Sequence, residues 1–151
     1  MKEEKEVIST INNLIETLKD GQEGFKQAAE GVKDPRLKSL FNDYSLQRSR
    51  FATELQSEAR VLGESELETS SSAAGALHRA WINLKSAVTS GDERAILAEC
   101  ERGEDSAVEE YKKAMNHNLS ASLSGIVARQ FAQIKEAHDR IKNLRNTTKL
   151  S

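Results

Sequence analysis

Apolar residues recur along this chain at alternating steps of four and three, the spacing that lines up one side of an α-helix. Four long segments show this pattern, at about residues 5–32, 35–62, 92–116 and 120–144. Asp34-Pro35 marks the start of the second segment, because Asp34 suits an N-cap and Pro35 the first helical position. Gly91-Asp92 and Ser120 mark the starts of the third and fourth segments in a similar way. No segment alternates as a half-buried strand does, so the pattern predicts an all-α protein.

The connection between the second and third long helices differs from the other two. Residues 64–75, ESELETSSSAAG, are small and polar and predict a linker. A short amphipathic helix is predicted after them, at roughly 74–88, with Leu77, Trp81 and Leu84 on one side. Linker and short helix span about 30 residues, enough to run the length of a bundle. The predicted architecture is a single domain over residues 1–151, a four-helix bundle with one long crossover that carries a short extra helix.

Composition narrows the class of protein. Apolar residues make up 37% of the chain, aromatic residues 5% and charged residues 30%, which is ordinary for a bundle whose outer faces meet water. The net charge of −2 favours neither nucleic acid nor an anionic membrane as a partner. The one cysteine, Cys100, allows no internal disulfide and fits a reducing compartment. Because no apolar run reaches the length of a membrane span or a signal peptide, we expect a cytoplasmic protein.

One polar residue interrupts the apolar stripe of each long helix near its middle. These residues are Gln22, Arg48, Glu104 and His138. A rotation of about 100° per residue places each on the buried side, and antiparallel packing brings all four to similar heights, within about one helical turn. A polar layer inside a core costs free energy unless its members satisfy one another. The layer is therefore either a functional site or a retained structural network.

Three interpretations of this layer are open. In the first, Glu104 and Arg48 form a fork-like ion pair, with Gln22 and His138 hydrogen-bonded around it. In the second, Glu104 and His138 are metal ligands, since facing helices of bundles are where carboxylate metal sites are built. Arg48 favours the first, because a fixed cation opposes a bound dication and one Glu with one His is a small ligand set. The third is a small-ligand pocket where Gly21 leaves room beside Gln22.

Three further residues could act as metal ligands or as a nucleophile, but the pattern predicts no such role for them. Glu16 and Glu23 point away from the stripe of the first helix and are predicted to be solvated. Cys100 lies on the stripe of the third long helix and is predicted to be a small core residue, because no base is placed beside it. No phosphate-binding loop, Cys-x-x-Cys or His-Glu-x-x-His motif occurs in the chain. The sequence therefore predicts no catalytic residue.

Three runs of the chain point to a known family. They are DGQEGF at 20–25, GALHRAWINLK at 75–85 and LAECERGEDSAVEEY at 97–111. In the last run, Glu104 and Tyr111 keep the Glu-x6-Tyr spacing seen in helices of the ferritin and rubrerythrin group. From about residue 6 to 145 the chain resembles a bacterial family of ferritin-like four-helix-bundle proteins of unassigned function. The resemblance implies a ferritin-like fold and a bacterial source.

The resemblance does not imply a complete iron site. Ferritin-like di-iron proteins use a Glu on each of two helices and Glu-x-x-His on each of the other two. Two of these six ligands match, Glu104 and His138, whereas Lys135 and Arg48 stand where other ligands would be. Glu23 is predicted to point outward, and it would become a metal ligand only if the first helix were rotated.

The leading hypothesis is a non-catalytic, ferritin-like bundle of the bacterial cytoplasm, with a buried polar network and no cofactor. Its role is expected to lie in protein–protein contacts, with a homodimer or another protein as the partner and no nucleic acid or membrane; family analogy alone associates it with stress. The short helix with Trp81 is one candidate contact surface, and packing of Trp81 onto its own bundle is the alternative. The second hypothesis is a metalloprotein that binds iron, manganese or zinc through Glu104, His138 and Glu23.

Overall fold

The computed structural model describes residues 2–61 and 81–148, with the side chains of residues 6–60 and 81–148. Five helices make up most of these ranges: α1 (Lys2–Gly31), α2 (Pro35–Val61), α3 (Leu84–Ser90), α4 (Glu93–Met115) and α5 (Ala121–Thr147). No strand occurs within the two ranges, so the all-α prediction is confirmed. The predicted linker and the first part of the predicted short helix lie outside the described residues. Within the described residues, the helical part of this segment is α3, Leu84–Ser90.

Local contacts set the helix boundaries. Asp34 accepts a backbone hydrogen bond at 2.8 Å at the start of α2, and the Asp92 carboxylate accepts from two amides in the first turn of α4. Ser120 accepts from an amide of α5 at 3.2 Å. These side chains satisfy first-turn donors that lack a helical carbonyl, so the three predicted N-caps are confirmed. Gly91 ends α3 at a φ of 73°, a left-handed conformation that glycine adopts without a Cβ clash.

The four long helices run in the order up, down, down, up. The amides of Lys33 and Asp34, after α1, both donate to the Glu93 carboxylate at the start of α4, at 3.0 Å. Ser122 at the start of α5 donates to Glu58 near the end of α2 at 2.5 Å. Because α1 packs against α2 and α4, while α5 packs against α4 and α2, the helices α2 and α4 run the same way across the diagonal of the bundle. No helix in the described ranges is long and apolar enough to cross a membrane.

The buried apolar side chains form two clusters at different heights in the bundle. One cluster includes Leu14, Leu18, Phe51, Leu55, Tyr111 and Ile134. The other includes Phe25, Phe41, Leu84, Ile96, Leu97 and Ile141. On α2 the gap between the clusters contains Arg48, and on α4 the corresponding gap contains Glu104. The polar positions therefore lie where the apolar core divides.

Trp81, just before α3, packs on α1 and α4. A Cβ added at Gly24 of α1 or at Gly103 of α4 would lie 2.4 Å or 2.2 Å from atoms of the indole. The indole also meets the Phe25 ring edge-on, with the ring centroids 5.3 Å apart. The two glycines thus leave the space in which Trp81 reaches the core of its own bundle.

Candidate functional site

A buried ion pair lies at the middle of the bundle. Arg48 of α2 and Glu104 of α4 are 1% and 0% exposed. Arg48 Nη1 donates to Glu104 Oε1, and Arg48 Nη2 donates to Glu104 Oε2 at 2.7 Å. Two parallel hydrogen bonds match the planar guanidinium to the planar carboxylate. The two residues thus meet in the fork-like geometry that their helical positions predict.

The first helix shapes the space around Arg48. The centre of the guanidinium lies 5.2 Å from the centroid of the Phe25 ring, within the range of a cation–π contact. A Cβ added at Gly21 would lie 3.5 Å from Arg48 Cγ, so the arginine side chain runs directly past this glycine. The small-ligand interpretation requires an open space beside Gly21. The Arg48 side chain occupies that space.

Burial and neighbouring charges shift the pKa values of Arg48, Tyr111 and Cys100. Burial alone would lower the pKa of Arg48, but the charge of Glu104 and the hydrogen bond to it outweigh burial and raise that pKa. Burial raises the pKa of the Tyr111 phenol far above its usual value, although Arg48 acts in the opposite direction. Burial, with the charges of Glu104 and Glu99, also raises the pKa of the Cys100 thiol. Cys100 is completely buried in one of the two apolar clusters, as predicted for a small core residue.

A second buried polar group, which is not part of the predicted layer, centres on Gln130 of α5. The Tyr111 hydroxyl donates to Gln130 Oε1 at 2.7 Å. Gln130 Nε2 donates to the Phe51 carbonyl at 3.3 Å and to Glu54 Oε1 at 2.8 Å. Gln130 precedes Ile134 by four residues on the α5 stripe, and that position was the signal that could have identified it. Since its amide is satisfied by neighbours on two helices, this group is structural.

His138 does not join the buried pair. Its Nε2 lies 2.5 Å from Asp105 Oδ1 and its Nδ1 lies 3.1 Å from Asp139 Oδ1. The ring therefore sits at the outer edge of the α4–α5 contact. Helix α5 turns Ala137, which is 1% exposed, toward the core. Since neighbouring residues differ by about 100° in direction, His138 points elsewhere.

Gln22 and the acidic residues of α1 also depart from the predicted layer. Gln22 is half-buried, and its backbone carbonyl accepts a hydrogen bond from the Ser45 hydroxyl at 2.8 Å. Glu23 is exposed and accepts from Gln27 Nε2 at 3.2 Å. Glu16, expected to be solvated, is only 8% exposed. The expectation for Glu16 is wrong because α1 is contacted on more than one side, so a single apolar stripe underestimates its buried width.

The structure does not bring Glu23, Glu104 and His138 together as metal ligands. Glu23 lies on the surface of α1, and both carboxylate oxygens of Glu104 are bonded to Arg48. His138 instead lies beside Glu101 and Asp105, and the ligand atoms of these three residues are within 4.8 Å of one another. Among the described residues, side chains of the types that can bind a metal therefore converge at the outer edge between α4 and α5.

The fold and the site define an all-α helical bundle with an Arg–Glu ion pair at mid-height. Residues 6–117 match the family described as Domain of unknown function (DUF2383). Because the match covers most of the chain, the protein belongs to this family. The matched range includes Arg48 and Glu104 and ends before His138. No curated protein matches the chain at a significant level.

Proposed function

We propose that this protein is a non-catalytic, ferritin-like bundle in which the Arg48–Glu104 pair takes the place of a metal centre. The observation that supports this most directly is that both carboxylate oxygens of Glu104 are bonded to the Arg48 guanidinium. A carboxylate held in this way is not free to be a ligand, and a guanidinium that stays protonated repels a dication. The up–down–down–up order of the long helices supports the ferritin-like part of the proposal.

The working surface of the protein is its exterior. Among the described residues at the centre of the bundle, Arg48 and Glu104 are bonded to each other and Cys100 is completely buried, so these three present no reactive atom to a substrate. The role therefore lies in contacts with a protein partner, either a second copy of the chain or another protein of the bacterial cytoplasm. Sedimentation analysis over a range of protein concentrations tests the homodimer, for which we expect a mass that rises with concentration.

Elemental analysis tests whether the centre of the bundle holds a metal. The protein is expressed with iron, manganese and zinc in the medium and purified without a chelator, together with Glu104→Gln and Asp105→Asn. We expect no metal whose retention depends on Glu104. Stoichiometric metal that is lost in Glu104→Gln and kept in Asp105→Asn would instead show that the centre is a metal site. Asp105 is the matched control, because it is the next residue on α4 and lies outside the buried pair.

A further inference from the structure

We propose that Glu101, Asp105 and His138 form a binding site for one divalent transition-metal ion on the outer edge between α4 and α5. Their ligand atoms lie within 4.8 Å of one another. The site is distinct from the Arg48–Glu104 pair, and the proposal does not depend on the function proposed above.

Two rigid elements hold the three side chains. Glu101 and Asp105 are four residues apart on α4, so they lie one turn apart on the same face of that helix. His138 faces them from α5, with its Nε2 toward Asp105. The side chains of Glu101 and His138 are 16% and 17% exposed, whereas that of Asp105 is 60% exposed. An ion would have three protein ligands on one side and water on the other, as in open zinc sites.

The hydrogen bonding of His138 prepares Nε2 to be a ligand. The Asp139 carboxylate lies 3.1 Å from Nδ1 of His138. Because an ionised carboxylate can only accept a hydrogen bond, Nδ1 carries the proton in this contact. A histidine that binds a metal usually donates its other N–H to a carboxylate in this way. In the neutral ring, Nε2 would then direct a lone pair at Asp105 Oδ1, 2.5 Å away, although an ionised carboxylate is itself only an acceptor. At this distance a proton lies between the two atoms and Nε2 donates to Asp105. A metal ion would replace that proton only after the two atoms had moved apart.

The same cluster already favours positive charge. The Asp139 and Asp105 carboxylates lie 3.1 Å and 2.5 Å from the two ring nitrogens of His138. A metal ion in place of the Nε2 proton would be stabilised by the same carboxylates, with Glu101 added as a third ligand.

The ligand types define the class of metal. One imidazole nitrogen with two carboxylate oxygens suits first-row dications such as Zn²⁺ and Ni²⁺, whereas Mg²⁺ and Ca²⁺ prefer oxygen ligands alone. Bonds of about 2.0–2.2 Å to both atoms would require Nε2 and Asp105 Oδ1 to separate to roughly 3 Å. Rotation of the exposed Asp105 side chain provides this adjustment.

Arg145 would compete with a metal ion for the Glu101 carboxylate. Its Nε donates to Glu101 Oε1 at 2.5 Å, and its side chain is 29% exposed. A metal that uses Glu101 must displace or share this contact. Removal of the Arg145 charge should therefore strengthen metal binding, an effect that a purely structural ion-pair cluster would not produce.

The test is a titration of the metal-free protein with Zn²⁺ against a chromophoric chelator, repeated with Co²⁺ so that its absorption spectrum reports the ligands. We expect one saturable site per chain. His138→Gln and Asp105→Asn should each weaken binding by at least about tenfold, while Arg145→Gln should strengthen it. His117→Gln is the matched control, because His117 is an exposed histidine in the turn after α4, and it should leave the affinity unchanged. Circular dichroism checks that each variant remains folded.

The site would be disproved if the wild-type chain showed no saturable Zn²⁺ binding, or bound Zn²⁺ as tightly after His138→Gln or Asp105→Asn. An equal loss in His117→Gln would also disprove it, because binding would then follow histidine content and not this cluster. Binding lost in Asp105→Asn and kept in Glu104→Gln supports the outer site and leaves the proposed function intact. Binding lost in Glu104→Gln and kept in Asp105→Asn overturns both.

Discussion

Arg48 and Glu104 are charged side chains taken almost completely out of water, and each compensates for the desolvation of the other. In Arg48→Met the Glu104 carboxylate would remain buried without its cation. We expect the free energy of unfolding to fall by about 3–5 kcal/mol, measured by urea denaturation. Arg50→Met is the control, because Arg50 is exposed on the same helix and its loss should change stability by no more than about 0.5 kcal/mol. Equal losses in the two variants would show that the pair has no special role.

His138 should make stability depend on pH near neutrality. Because its pKa is raised in the folded protein, the stabilisation is fully present below the unfolded pKa of about 6.5 and is lost as pH rises through the folded pKa. His138→Gln should therefore reduce stability at pH 5.5 and have little effect at pH 8.5. A partly exposed pair supports a difference of only about 0.2–1 kcal/mol.

The pH experiment uses urea midpoints in buffer with a chelator, so that metal binding does not contribute. The range stays above pH 5, because the hydrogen bond from His138 lowers the pKa of Asp139 and keeps that partner ionised. A constant difference between wild type and His138→Gln across the range would contradict the expectation.

At the scale of elements, the packing of Trp81 against α1 and α4 depends on two glycines, Gly24 and Gly103, which have no side chain. In Gly103→Ala the new Cβ would lie 2.2 Å from the indole of Trp81, so the ring must move out of its site. We expect a loss of about 1–3 kcal/mol, the usual cost of overpacking. Trp81 is the only tryptophan of the chain, so its fluorescence emission should shift to longer wavelength as the ring meets water.

Gly125→Ala is the matched control for this substitution. Gly125 lies on α5 with nothing within 4 Å of an added Cβ. The change should stabilise the protein by about 0.5–1 kcal/mol, because alanine is the better helix former. If Gly103→Ala had the same effect as Gly125→Ala, the close contact with Trp81 would be disproved.

The elements themselves could be predicted from sequence because their signals are local. Apolar spacing located the four long helices, and Asp34, Asp92 and Ser120 marked their starts through contacts within one turn. The packing of Trp81 could not be predicted from such local signals, because it depends on Gly24 and Gly103 of two other helices.

The candidate site could be predicted only in part, because some of its contacts depend on how the helices pack against one another. Arg48 and Glu104 are buried near the centres of their stripes, so rotation alone placed them correctly. On α5 the packing turned Ala137 inward and left His138 about 100° away from the core. Such an angle depends on how α4 and α5 pack, and apolar spacing does not determine it. The partner of His138, Asp105, likewise comes from another helix.

For the whole molecule, the Arg48–Glu104 pair connects α2 and α4 across the diagonal of the bundle, between two apolar clusters. Apolar side chains pack without strong direction, so they set the relative height of two helices less exactly than a bidentate hydrogen bond does. We therefore expect the pair to fix the register of α2 against α4. Such a role does not require the pair to add net stability, since replacing a buried ion pair with apolar residues is often neutral.

The double variant Arg48→Met/Glu104→Met distinguishes the effect of the pair on helix register from its effect on the free energy of unfolding. With both charges removed, no group is stranded, and we expect the free energy of unfolding to recover most of the loss in Arg48→Met. In the same variant the amide resonances of residues near positions 48 and 104 should broaden or multiply, because the helices lack the contact that selects one height. A ¹H–¹⁵N correlation spectrum beside a urea titration measures both effects. One sharp set of resonances from a stable double variant would show that apolar packing alone specifies the bundle, and the pair would then have no role in register.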